Sequence, residues 1–128
     1  MKKVSVITVN YNNADGLKRT LESLFAQTFT DYESIVIDGG STDGSREIIE
    51  NFADRITYWV SEPDGGIYHA MNKGILKAHG SFLNFMNSGD TFVTSTTIER
   101  LIERYEKGDK IIYGNILKCY DRRKERTS

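Results

Sequence analysis

The sequence predicts an α/β domain with a mainly parallel sheet covered by helices, and three observations carry that prediction. Short runs of β-branched or bulky apolar residues alternate with segments of helical period at least three times. The runs are close to continuously apolar, as in residues 82–86, FLNFM, where only Asn84 interrupts; strands buried on both faces look like this. Each run then stops in small, polar or acidic residues: 10–12, 38–43, 64–66 and 87–90. A parallel sheet gathers such strand ends along one rim, and open α/β sheets bind their ligands there.

Each element has its own signal. Residues 4–9, VSVITV, form the first strand and run into the polar loop 10–13. Leu17, Leu21, Leu24 and Phe25 then recur at helical spacing, with Lys18, Arg19 and Glu22 opposite and Asn13 or Asp15 placed to cap. Residues 34–38, SIVID, form a second strand; Ile48, Ile49 and Phe52 face inward from a second helix. Residues 56–60 form a third strand. Ile67, Ala70, Met71, Ile75 and Ala78 stripe a third helix, whose Gly74 costs about 1 kcal/mol against alanine and is tolerable where the helix packs tightly on a neighbour.

The fourth strand is the run before Asn87. Thr96 and Glu99 have capping-box spacing, and Ile98, Leu101, Ile102 and Tyr105 line a helix that stops at Gly108. A further strand is expected at residues 111–113, continuing through Ile116 and Leu117. Residues 1–120 read as one domain and residues 121–128 as a flexible basic tail.

Composition narrows the function. A chain of 128 residues suffices for one domain with a real core. Its 17 basic and 18 acidic residues leave a net charge of −1, too little for long-range capture of nucleic acid. No apolar run approaches the roughly 20 residues of a membrane span. The N-terminus enters a strand directly, so no signal peptide is expected, and the single cysteine, Cys119, cannot form an intrachain disulfide. A cytoplasmic location is the simplest expectation.

On the rim, Asp38 is either a turn residue or an acceptor for the base N–H or ribose hydroxyls of a ligand. Asp43 or Ser41 has the chemistry of a helix cap. Gly39, Gly40 and Gly44 let backbone approach a ligand closely. Asp90 either closes a turn or supplies an oxygen to Mg²⁺ or Mn²⁺, which take one or two carboxylates plus a ligand's phosphates. His69 and His79 show no zinc pattern. Lys73 and Lys77 form a solvated face or meet phosphates; Tyr11 and Trp59 pack or stack on a base. No G-x-G-x-x-G follows the first strand and no phosphate-loop motif occurs, which removes most dinucleotide dehydrogenases and phosphate-loop enzymes.

VSVITVNYN, SIVIDGGSTDGS, EPDGGIYHAMNKGI and GSFLNFMNSGD, in that order and spacing, resemble the family 2 glycosyltransferases, with bacterial enzymes of polysaccharide assembly the nearest likeness. The resemblance implies a single Rossmann-like domain of the GT-A type. It also implies a nucleoside-diphosphate sugar donor, a divalent metal on the diphosphate, a glycan or lipid-linked acceptor, and inversion at the anomeric carbon. By matching position, Thr8, Asn10 and Tyr11 cradle the nucleobase, Asp38 binds it, Asp64 lies beside the nucleotide and Asp90 holds the metal. With a lipid-linked acceptor, the protein would work at the inner face of a membrane.

The match has three departures. Asn87 and Gly89 stand where many members carry aspartate, leaving Asp90 the motif's only carboxylate. Met71 replaces an arginine common in the family, for which Lys73 is a partial substitute. The half that supplies acceptor site and catalytic base is not evident, so this chain alone is expected to bind donor without transferring it. Two other classes stay open: a non-catalytic nucleotide-sugar-binding module, and a GT-A-like nucleotidyltransferase, which the lack of an early basic glycine-rich loop disfavours.

Overall fold

The structure, a computed structural model, describes residues 3–106 and 118–121. The order of elements is β1 (Val4–Asn10), α1 (Ala14–Phe25), β2 (Tyr32–Asp38), α2 (Ser45–Asn51), β3 (Tyr58–Ser61), α3 (Ile67–Lys77), β4 (Phe82–Asn87), α4 (Thr97–Glu106) and β5 (Lys118–Asp121). One sheet holds the strands in the order β3-β2-β1-β4-β5. The first four are parallel; β5 runs antiparallel to β4. In register, Asn10 lies beside Asp38, Val9 beside Asn87, and Asp38 beside Ser61. The strand ends that the sequence marks therefore meet on one rim.

β1 is the strand from which the order turns both ways, to β2 on one side and β4 on the other. Strand alternation divides its side chains. Val4 and Val6 pack with Leu24, Phe82, Met86, Phe92, Ile98 and Ile102, on the face covered by α1 and α4. Ile7 and Val9 pack with Ile35, Ile37, Ala70 and Leu83, on the face covered by α3. Leu17, Leu21, Val36, Ile49 and Ile56 form a third cluster, which places α2 on the α1 side. Leu17, Leu21 and Leu24 are fully buried; each such side chain contributes roughly 1.5–3 kcal/mol. Gly74 carries the close approach of α3: a Cβ there would overlap Ile7 Cγ2.

Several expectations shift. β2 begins two residues earlier than the apolar pattern suggests, because Glu33 is buried within it. Its carboxylate accepts from Ser5 Oγ (2.6 Å) and His79 N (2.6 Å), with His79 Nδ1 3.2 Å away. β3 starts at Tyr58; Ile56 is buried in the core ahead of it. The capping box at α4 does not form. Glu99 accepts from Thr28 Oγ1 (3.1 Å) instead, and buried Gln27 satisfies the helix start, donating to Thr94 O (2.6 Å) and accepting from Ile98 N (3.1 Å). β5 includes Asp121, while the strand expected at 111–117 and residues 122–128 lie outside the described residues. No helix among the described residues is long and apolar enough to cross a membrane.

Candidate nucleotide-sugar site

A cavity of about 520 Å³ opens at the carboxyl ends of β1, β2, β3 and β4, where chain direction around β1 makes room for it. Asn10, Tyr11 and Asn13 line it from β1 and the following loop, Gly39 from just past β2, Pro63, Asp64 and Gly66 from the loop after β3, and Asn87 and Ser88 from the end of β4 and the turn that follows. Val9, Ile67 and Ala70 form an apolar floor on the α3 side. Ile67 is 47% exposed because it opens onto this cavity rather than joining the buried stripe of its helix.

The strand ends are knitted by main-chain bonds: Gly39 N to Asn10 O, Glu62 N to Asp38 O, and Ser88 N to Val9 O, at 2.9–3.1 Å. Asp38 fixes the centre of the rim. It is fully buried, on the α1 side of the sheet, beneath the cavity rather than on its wall. Oδ1 accepts from Asn10 Nδ2 (2.7 Å) and Ser41 Oγ (2.6 Å). Oδ2 accepts from Gly40 N (3.2 Å), Ser41 N (2.9 Å) and Ser61 Oγ (2.8 Å). Burial alone would push its pKa up; the bonds from Ser41, Ser61 and Asn10 outweigh that and hold it below the usual aspartate value.

Around this carboxylate the other loop residues are locked. Gly40 has φ +85°, a conformation that strains any side chain, and its missing Cβ leaves Pro63 room to close over it. Asn12, at φ 46°, accepts from Thr42 N (2.9 Å). Asp43 Oδ1 accepts from Ser45 N and Oγ at the start of α2, while Oδ2 accepts from Ala14 N at the start of α1. One side chain thus serves two helix starts, and the bond from Ser45 leads in lowering its pKa. The α2 cap itself is Gly44; Asn13 caps α1 by accepting from Gly16 N (3.1 Å).

The fourth strand ends in a turn. Asp90 N donates to Asn87 O, and Asp90 Oδ2 accepts from Asn87 N, both at 2.9 Å, with Gly89 at φ +103°. Thr20 of α1 ties this turn down: its hydroxyl oxygen accepts from Gly89 N (2.9 Å) and donates to Asp90 O (2.7 Å). Asn13 Nδ2 donates to Ser88 O (3.0 Å). Asp90 is therefore a turn residue with one carboxylate oxygen, Oδ1, unbonded among the described residues.

The sequence-predicted residues are distributed unevenly. Asn10, Tyr11 and Asp64 line the cavity; Tyr11 is 66% exposed at its mouth. Thr8 is buried within the sheet on the α1 side, its Oγ1 without a hydrogen-bond partner among the described residues. Lys73 lies off the cavity wall and pairs with Glu62 at 3.1 Å. Met71 packs into the α3-side core. Trp59 packs against the third cluster with Arg46 5.8 Å above its ring. Asn13, Pro63, Ser88, Ile67 and Ala70 are wall residues that the sequence reading did not single out. Asn13 and Ser88 carried a signal, as polar residues just past strands; Ile67 and Ala70 looked like ordinary core.

Among the described residues no three histidine, cysteine or acidic side chains cluster as a ready-made metal cage. The donor set still fits Mg²⁺ or Mn²⁺, which commonly take a single carboxylate and leave other positions to phosphate and water. Asp90 Oδ1 and the exposed Asn87 amide are oxygen donors of that kind.

A mainly parallel α/β sheet with a cavity at its strand ends places the domain in the Rossmann-like α/β class. The sequence profile of Glycosyl transferase family 2 matches residues 5–128, and the chain belongs to that family. An uncharacterized glycosyltransferase of Mycobacterium tuberculosis is 45% identical over 101 residues, covering 78% of this chain and 38% of the relative. TarS 1-349 of S. aureus, solved with UDP-GlcNAc, superposes with a TM-score of 0.74 at 26% identity, over 82% of this chain and 31% of that chain. A mannosyltransferase of Pyrobaculum calidifontis, solved with GDP-Man and Mn²⁺, shares the fold at a TM-score of 0.73 and 23% identity, over 79% of this chain and 31% of its own. The chain thus spans about 38% of the length of the M. tuberculosis relative.

Proposed function

We propose that this chain binds the nucleoside-diphosphate sugar donor of an inverting glycosyltransferase that acts on a glycan or lipid-linked acceptor in cell-surface polysaccharide synthesis. The observation that carries the reading is the cavity at the strand ends, of a size for a nucleotide and walled by Tyr11, Asn10 and Asp64. Tyr11 offers an exposed ring for stacking on the base. Asn10 Oδ1, buried at the wall and without a partner among the described residues, is an acceptor for a base N–H or a ribose hydroxyl. Asp64 is an acceptor for ribose. Asp38 acts from beneath, by holding Asn10 and the 39–41 loop in shape; Thr8 likewise supports the wall from inside the sheet.

Among the described residues the wall carries one carboxylate, Asp64, and no lysine or arginine. A diphosphate brought there needs a cation, and we assign that role to a divalent metal held by Asp90, with Asn87 as a neutral oxygen. When bound, it neutralises charge on the leaving nucleoside diphosphate. Lys73, paired with Glu62, supplies at most a more distant positive charge.

Calorimetric titration with UDP and GDP, in Mn²⁺ and in chelator, tests this reading. Micromolar binding in Mn²⁺ and loss in chelator are expected. No binding of either nucleotide rejects the site, and equal affinity in both conditions rejects the metal. The chain alone is proposed to bind donor without transferring it, since the rim acids already have other roles in this reading: Asp38 and Asp43 hold the loops, Asp64 is assigned to ribose and Asp90 to the metal. Transfer to an oligosaccharide or lipid-linked acceptor at about 1 s⁻¹ or more, an ordinary enzyme rate, would show that a base lies within these residues.

A further inference from the structure

The loop between β3 and α3 forms one wall of the cavity through Pro63, Asp64 and Gly66. α3 begins after Gly66, which has no side chain to cap the helix. Two side chains hold the loop's amides instead. Asp64 Oδ1 accepts from Gly66 N at 3.0 Å, and His69 Nδ1 accepts from Gly65 N at 2.7 Å. His69 is the third residue of the helix, the position from which glutamate or glutamine reaches back in a capping box.

An imidazole differs from those side chains in one respect. Nδ1 accepts only while it carries a lone pair, so this bond requires the neutral ring with its proton on Nε2. The protonated ring donates from both nitrogens, and Nδ1–H would then oppose Gly65 N–H. Histidine is the residue type whose charge commonly changes between about pH 5 and 8.

We propose that His69 is a positioning residue for the cavity wall, a latch that closes when its ring is neutral and makes nucleotide binding proton-dependent. The proposal rests on reading the cavity as the nucleoside-diphosphate site. Among the described residues, the charged groups nearest the latch along the chain are Glu62 and Asp64 in the loop and Lys73 one turn along α3. Lys73 and Glu62 neutralise each other at 3.1 Å. Just past β2, Gly39 meets the loop: a Cβ there would come 3.2 Å from Asp64 Oδ2 and 3.2 Å from Tyr11 Cδ1. A loosened loop therefore shifts Asp64 against Gly39 and Tyr11, which together shape the cavity.

Two measurements on the 128-residue chain test the latch. In ¹H–¹⁵N spectra recorded from about pH 5.5 to 8.5, the Gly65 amide resonance should follow the titration of the His69 ring, and should lose that dependence in His69→Gln. UDP affinity in Mn²⁺, measured near both ends of that range, should fall on acidification by about two- to twelvefold more in the wild type than in His69→Gln, the worth of one net hydrogen bond. His69→Ala should bind weakly across the range, and His69→Gln, which keeps an acceptor, should restore neutral-pH affinity. Comparison with His69→Gln cancels the titration of the nucleotide's own phosphates. A Gly65 resonance indifferent to His69, or equal pH dependence in wild type and His69→Gln, overturns the latch while leaving the donor site standing. Failure of UDP and GDP to bind at any pH, with Gly65 still following His69, overturns the donor-site reading and with it the coupling to nucleotide.

Discussion

Gly74 faces Ile7 so closely that a Cβ on the glycine would overlap the Ile7 Cγ2 methyl, and Ile7 is fully buried in the central strand. Helix propensity alone favours alanine at this position by about 1 kcal/mol. Overpacking a core typically costs about 1–3 kcal/mol, and here the neighbour has no open space to enter. Gly74→Ala is expected to destabilise the domain by about 1–2 kcal/mol in urea denaturation. A gain in stability would mean that α3 can lift off the sheet.

Asp38 and Glu33 give the protein an acid limb. In both, burial favours the neutral form but hydrogen bonds to the carboxylate prevail, from Ser41 and Ser61 in one case and Ser5 and His79 in the other. A lowered folded pKa means stability that is present above the unfolded value of about 4 and lost as pH falls through the folded value. Stability should be level near neutrality and decline below about pH 4. Asp38→Asn should cost about 2–4 kcal/mol at pH 7, because an amide turns an N–H₂ toward donors that expect an acceptor, and its acid decline should be shallower. Denaturation midpoints measured from about pH 7 to pH 3 check both statements.

Asp90 combines a turn with the proposed metal role, and two substitutions separate them. Asp90→Ala removes the acceptor of Asn87 N and should cost about 0.5–1.5 kcal/mol. Asp90→Asn keeps an acceptor oxygen and should leave stability nearly unchanged. Both should erase the difference in nucleotide affinity between Mn²⁺ and chelator. If Asp90→Asn retains that difference, the charge of Asp90 is not what holds the metal.

Gln27 joins the end of α1 to the start of α4, with both amide atoms used and 7% of the residue exposed. Gln27→Ala leaves Thr94 O and Ile98 N without these partners. A loss of about 1–3 kcal/mol is expected, with faster amide exchange at Ile98 than elsewhere in α4.

Much of the fold was legible because burial on both faces writes itself into composition: VSVITV and FLNFM admit few other readings. The rim was legible too, since parallel strands must deliver their ends to one side. What escaped were polar residues whose partners lie far along the chain. Glu33 looks like a loop residue until Ser5 and His79 are brought to it. Glu99 has the spacing of a capping box, yet Thr28 and Gln27, about 70 residues earlier, take over both halves of that job. Asp38 was visible as a rim carboxylate, but the five donors that bury it come from three separate loops and strands. The family resemblance suggested residue roles that spacing alone could not, and the pairing of Lys73 with Glu62 was not legible in either.

The hydroxyl of Thr20 has a wider implication for how this domain can be re-engineered. The turn bearing Asp90 is anchored to the first helix as well as to its own strand, so the modular unit is not a contiguous peptide. A chimera that imports the 87–90 segment from a relative brings only half of the part; the complementary residue sits 70 positions upstream. Recombination boundaries drawn between the first helix and the fourth strand would cut that unit in two, whereas exchanging positions 13 and 20 together with the turn keeps its side-chain ties to that helix.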